Sequence, residues 1–180
     1  MIHVMSDTPD PDMTFGAAET AAAPARLRRL PSRLLNQAAT HANRLVAAGL
    51  SEVGAHKWHY AVLASLADVG PGSQATLSRR TGIYRSDMVA VINELADHDF
   101  VERAPDPADR RRNVITITAR GRGRLADLDG RLAGLQDALL APLTAAERDQ
   151  LIELLIRLAD YHAARQPPGR QLSAPPARQP

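Results

Sequence analysis

The sequence predicts a mainly α-helical domain with one small two-stranded β element, and three observations carry that expectation. Apolar residues recur at three- and four-residue steps through most of the chain, the period of a helix with one buried face. One short stretch, Asn113 to Thr118, instead alternates Val114, Thr116 and Thr118 with Ile115 and Ile117, the period of a strand. Glycine and proline fall where helices must stop, at Gly49, from Gly70 to Gly72, and at Gly82.

The 180 residues have room for one ordinary domain. Residues 1–25 mix Ser, Asp, Thr, Pro and Ala without apolar periodicity, and residues 166–180 are rich in Pro, Gln and Arg. Neither stretch carries enough apolar surface to offset the entropy of ordering it, so both read as disordered extensions dispensable for DNA binding. Between them, the first helix spans Arg26 to Leu50, with Leu27, Leu30, Leu34, Leu35, Ala38, Ala42, Leu45 and Val46 on one face. Pro31 marks its first turn. A second helix, from about Ala55 to Val69, turns Trp58, Val62, Leu63 and Leu66 inward before Gly70, Pro71 and Gly72 break it.

Gln74 to Thr81 and Tyr84 to His98 are two further helical segments separated by Gly82, which supplies the positive φ that a tight turn between crossed helices requires. Ser78 is small where these helices approach, and Leu77, Ile83, Met88, Val91, Ile92 and Leu95 form their apolar underside. Phe100 to Arg103 and Asn113 to Thr118 then read as strands joined by an exposed loop, Ala104 to Arg112. A helix-turn-helix followed by such a hairpin is a winged helix-turn-helix lobe, here residues 55–118. The chain continues as a helix from Ala119 to Leu140, with leucines at 125, 128, 132, 135 and 139. A last helix runs from Thr144 to Ala164, with Leu151, Leu154, Leu155 and Leu158, and Thr144 and Glu147 make a capping box in form. Only six aromatic residues are available to fill a core. Residues 26–50 and 119–164 therefore read as dimerisation helices, halves of an intermolecular bundle.

Composition removes several function classes. The chain has no cysteine, hence no disulfide, thiolate nucleophile or cysteine metal site. No apolar run reaches the roughly 20 residues of a membrane span, and residues 1–25 lack the basic, apolar character of a signal peptide, which predicts a cytoplasmic protein without membrane partners. Nucleophile elbows and phosphate loops are missing, so no enzyme and no cofactor is expected. His56 and His59 flank Trp58, and His41 lies on the first helix, but no carboxylate or cysteine stands near them in sequence and no metal is expected.

Charge is informative locally. Arginine and lysine total 22 against 20 acids, with Lys57 the sole lysine. Between Val101 and Arg124, seven arginines (103, 110, 111, 112, 120, 122 and 124) face three acids. Three of those arginines are consecutive at the loop tip, where they can reach phosphates or a narrow minor groove. The second helix of the helix-turn-helix leaves Arg85, Ser86, Val89, Ala90 and Asn93 on its outer face, which would enter a major groove.

The run LSRRTGIYRSDMVAVINELADHDFVERAPDPADRRRNVITITARG resembles the MarR family of bacterial transcriptional regulators, through its L-x-x-x-x-F-V-E-R stretch, its D-P-x-D-R-R wing and its T-x-x-G. The resemblance covers about residues 27–164. It implies a homodimer, with two winged lobes reading double-stranded DNA at a palindromic operator, and an effector pocket at the junction of dimer helices and lobe, often for a small aromatic or anionic ligand. The implied reading is a ligand-responsive repressor; a sequence-tolerant architectural DNA-binding protein is the alternative. By that resemblance Asp109 orients a neighbouring arginine, Arg111 is the tip contact to the minor groove, and Arg85 and Ser86 begin the recognition helix. Positions often occupied by polar base readers are here Asp87, Val89 and Ala90, and Asp99 stands where the family usually has glycine. The DNA-facing set is then Gln74, Arg79, Tyr84, Arg85, Ser86, Asp87, Asn93, Arg103, Asp109, Arg110, Arg111 and Arg112. Arg33, Trp58 and His59 are the effector candidates.

Overall fold

The computed structural model describes residues 24–105 and 113–165. Expectations that fall on 1–23, 106–112 and 166–180 lie outside these residues. Among those described, seven helices and two strands follow in chain order: α1 (Ala25–Arg28), α2 (Pro31–Ser51), α3 (Lys57–Asp68), α4 (Gln74–Thr81), α5 (Arg85–Asp97), β1 (Val101–Pro105), β2 (Asn113–Ile117), α6 (Ala119–Leu139) and α7 (Ala145–Ala163). Pro31 opens α2, where its missing N–H costs nothing, and the chain before it makes only the single turn of α1.

The chain divides into two units, one ending at Gln136 and one beginning at Asp137. In the first, a single core runs from Leu50 through Val62, Leu63 and Leu66 of α3, Leu77, and Met88, Val91, Ile92 and Leu95 of α5 to Ile115, Ile117 and Leu128. The α3, α4 and α5 members were expected on inward faces, whereas Leu50 and Leu128 were not. Leu128 is 1% exposed, and Leu125 and Leu132 pack against the same core. The first leucines of α6 are thus used within the chain. Gly49 brings α2 close to α6, since a Cβ there would lie 2.6 Å from the Leu135 methyls. Arg131 seals this crossing, its Nε donating to the Gly49 carbonyl at 3.0 Å and its guanidinium pairing with Glu52.

The two strands pair antiparallel, Val101 opposite Ile117 and Pro105 opposite Asn113. β1 therefore runs two residues further than expected, taking in Ala104 and Pro105. Proline is admitted there because β1 is an edge, while β2 is bridged on its other side by Gly72, which exchanges two backbone hydrogen bonds with Ile115. Ile115 and Ile117 point inward as the alternation predicts. Thr118 then ties strand to helix: its hydroxyl donates to the Asp99 carbonyl at 2.6 Å and accepts from the Gly121 N–H at 2.9 Å. At Gly121 a Cβ would sit 2.0 Å from the Phe100 carbonyl oxygen, so only glycine lets α6 start this close. That contact explains the T-x-x-G spacing.

In the second unit Thr144 caps α7 with the full capping box: its hydroxyl accepts from the Glu147 N–H, and the Glu147 carboxylate accepts from the Thr144 N–H at 2.8 Å. Arg148 folds the preceding turn onto the helix through the Leu140 and Leu143 carbonyls and Asp137. Within this unit Ile152, Leu154, Leu155, Ile156 and Leu158 are all more than two-fifths exposed.

Candidate nucleic-acid interface

The helix-turn-helix is set by four local devices. Ser73 caps α4, accepting from the Thr76 N–H at 3.3 Å. Gly82 closes α4 in the left-handed region at φ 71°, its N–H donating to the Ser78 carbonyl. The Ser78 hydroxyl, buried between the helices, donates to the Ile83 carbonyl at 2.6 Å. A larger or apolar residue at 78 would leave that carbonyl unpaired in the core, a loss of about 1–3 kcal/mol. Tyr84 is the N-cap residue of α5 in extended conformation.

The outer face of α5 is as expected: Arg85, Ser86, Val89, Ala90 and Asn93 are exposed, and Met88, Val91, Ile92 and Leu95 lie beneath. Gln74 and Tyr84 are half-buried, and Arg79 is exposed with its guanidinium on the Thr76 hydroxyl at 3.3 Å. Asp87 sits in the first turn of α5, where a negative charge meets the positive end of the helix dipole, and its carboxylate accepts from the Ser86 hydroxyl at 3.2 Å. Arg103, on β1, reaches across to the Asn93 side-chain oxygen. Two residues read separately from the sequence are thereby coupled: with its oxygen on the guanidinium, Asn93 presents mainly its NH₂ donors outward. Asp109, Arg110, Arg111 and Arg112 lie outside the described residues.

The arginines that follow the wing have other work. Arg124 is half-buried, donates to the Val53 carbonyl, and lies 5.9 Å from the centre of the Phe100 ring. Arg120 stands over the same ring and 3.7 Å from Asp99. The excess of positive charge read between Val101 and Arg124 is therefore divided, and these two members hold the start of α6 instead of extending the wing. Asp99 itself adopts φ 59°, the conformation in which glycine carries no penalty.

A cleft of about 350 Å³ opens beside this lobe, lined by Ser51, Gly54, Ala55, His56, His59, Glu94, Asp97 and His98. A much smaller cavity of about 10 Å³, the size of one water, lies deeper between His59, Glu94, Phe100, Arg124 and Leu128. Of the three effector candidates His59 lines both; Trp58 packs against the core and Arg33 lies on α2, and neither lines the cleft or the cavity. His56 occupies the N-cap position of α3 without a side-chain cap. His41 is exposed and apart from the cleft. What sequence spacing could not reveal is Glu94: its carboxylate meets the His59 Nε2 at 2.8 Å and the His56 Nε2 at 3.1 Å. These hydrogen bonds, that of His56 foremost, hold the Glu94 carboxyl below its usual range. His59 is nevertheless lowered too, because burial and the neighbouring His56 outweigh the carboxylate.

A model of the MarR family matches residues 54–112. The chain is 28% identical over 101 residues to the HTH-type transcriptional repressor NicR of Pseudomonas putida, an alignment covering 56% of this chain and 64% of that one. Among solved structures, a probable transcriptional regulator from Pseudomonas aeruginosa is 30% identical, covers 74% of this chain and 99% of its own, and superposes with a TM-score of 0.65. The PcaV transcriptional regulator of Streptomyces coelicolor, in complex with its natural ligand, is 29% identical, with 77% and 97% covered and a TM-score of 0.64. No described helix is long and apolar enough to cross a membrane.

Proposed function

Because the chain belongs to the MarR family of transcriptional regulators, we propose that it binds DNA sequence-specifically as a homodimer on a palindromic operator and acts as a ligand-responsive repressor. The observation that carries the DNA reading is the outer face of α5, free of core contacts and flanked by Arg103. A helix presenting Arg85, Ser86 and the Asn93 amide fits the major groove, whose base edges offer acceptors to arginine and to amide donors. Arg110, Arg111 and Arg112 would add phosphate or minor-groove contacts from the wing.

Two apolar faces support the dimer. Leu27, Leu30, Leu34 and Leu35 are each more than two-fifths exposed, and so is the leucine and isoleucine face of α7. A second copy would cover both, with two recognition helices one duplex turn, about 34 Å, apart. The effector is a small aromatic or anionic molecule held near His59 and Arg124. The deep cavity admits only a water, so the ligand must widen it, and by linkage a ligand preferring the widened state lowers DNA affinity to the extent that DNA prefers the closed one.

The test is a binding titration on a duplex selected from a random library, on its single-base variants and on random duplex, at several salt concentrations. Arg85→Ala should relax preference at one base position per half-site by about 1–3 kcal/mol. Arg111→Ala should weaken binding to every duplex and lower the salt slope by about one. Equal affinity for selected and random duplex would instead describe an architectural protein. Light scattering must give about twice the 19.4 kDa chain mass; a particle of 19.4 kDa would sink the dimer.

A further inference from the structure

We propose that His56, His59 and Glu94 form a binding site for one divalent transition-metal ion of the zinc class, ligated by both Nε2 atoms and the carboxylate, with water completing the coordination. The three ligand atoms lie within 4.8 Å of one another. They come from two separate elements: His56 and His59, three residues apart across the first turn of α3, and Glu94 on α5. The imidazoles stack with centroids 3.6 Å apart and direct both Nε2 atoms at one carboxylate oxygen. Zinc bond lengths of about 2.0–2.2 Å in a tetrahedron place ligand atoms about 3.3 Å apart. The present separations of 2.8 and 3.1 Å need open by only a few tenths of an ångström.

The chemistry of the donors selects the ion. Two imidazoles and one carboxylate suit zinc, cobalt or nickel, whereas magnesium and calcium ask for oxygen ligands alone. A metal binds the lone pairs of neutral imidazoles and an ionised carboxylate, and all three ligand atoms here already converge on one point. The nearby Arg124 is turned to the Val53 carbonyl and the Phe100 ring. Access is open: the Glu94 side chain is half exposed and the cleft leads directly to it, while His59, 13% exposed, is held by the lobe. Binding displaces the protons now shared between the imidazoles and Glu94, and cross-links the start of α3 to the recognition helix.

Trp58, the only tryptophan, is the probe, its ring standing 5.8 Å from that of His56. Tag-free, metal-stripped protein is titrated with Co²⁺, then with Zn²⁺, in the absence of DNA. One equivalent of Co²⁺ should quench Trp58 and develop the visible absorption of a low-coordinate site, and Zn²⁺ should reverse both. Zn²⁺ alone should also raise the melting temperature. His56→Ala and Glu94→Gln should each weaken Zn²⁺ binding, measured calorimetrically, by more than the roughly 10–100-fold that loss of an outer-shell partner costs. His41→Ala should not. Glu94 is exposed, so Glu94→Gln keeps the fold and leaves the test interpretable. Absence of quenching and of binding heat, or binding that survives in His59→Ala/Glu94→Gln, overturns the site and leaves only a hydrogen-bonded cluster. Since no DNA is present, this result is independent of the proposed DNA reading.

Discussion

From Leu50 to Leu128, fifteen apolar residues are buried, drawn from helices, strands and the turns between them, whereas α7 runs for 19 residues without burying one. Both regions are rich in leucine and isoleucine, and both have helical periodicity. They differ in what local sequence must supply. In the lobe, Ser73, Ser78, Gly82 and Thr118 satisfy helix ends and allow close approach, so that packing completes the structure. In α7, the capping box and the Arg148 contacts define a helix whose apolar face remains open. Hydrophobicity alone therefore does not distinguish a buried helix face from an exposed one; the close-approach residues beside it do.

The largest test of this contrast is a pair of truncations. Leu77→Ala, at a fully buried position, should cost about 2–5 kcal/mol in urea unfolding. Leu155→Ala, at a position 41% exposed, should cost under about 1 kcal/mol at concentrations where the chain is monomeric. Equal losses would mean that α7 is part of the same core and would break the comparison. Next comes Gly121→Ala, which forces a methyl against a backbone carbonyl that cannot rotate away; a loss of about 3 kcal/mol is expected, seen as a lower urea midpoint with unchanged slope. A neutral outcome would show that α6 can slide away from Phe100.

Smaller and opposite in sign is Asp99→Gly. It relieves a left-handed backbone at φ 59° and gives up only an exposed ion pair with Arg120, so stability should rise by about 0.5–1 kcal/mol. A loss would mean that the ion pair outweighs the strain. The smallest effect concerns Glu147, whose carboxyl is held below the ordinary 4.5 by the Thr144 N–H first and its hydroxyl second. Because its folded value is the lower one, its contribution to α7 is complete above pH 4.5 and disappears as pH falls through that folded value. Carboxyl NMR titration should place its midpoint below 4.5, and Thr144→Ala, which removes the hydroxyl but keeps the backbone N–H, should move it only part of the way back; a midpoint already at 4.5 in the parent chain would dissolve the capping box in solution.

Local periodicity and turn chemistry determined a good deal. The bounds of α4, Gly82 as its left-handed terminator, the underside of α5, the inward isoleucines of β2 and the Thr144 capping box were all legible, because each depends on residues within a few positions of one another. The wing boundary was less so, since Pro105 reads as a loop residue until β1 is known to be an edge. What only the tertiary structure decided are meetings between distant segments: Glu94 with His56 and His59, Asn93 with Arg103, Arg124 with Val53, and Leu128 with the lobe core. Separations of 35 to 71 residues in three of these leave no trace in any periodicity. A side chain's charge and reach are written in its own type, but its partner is chosen by how the helices cross.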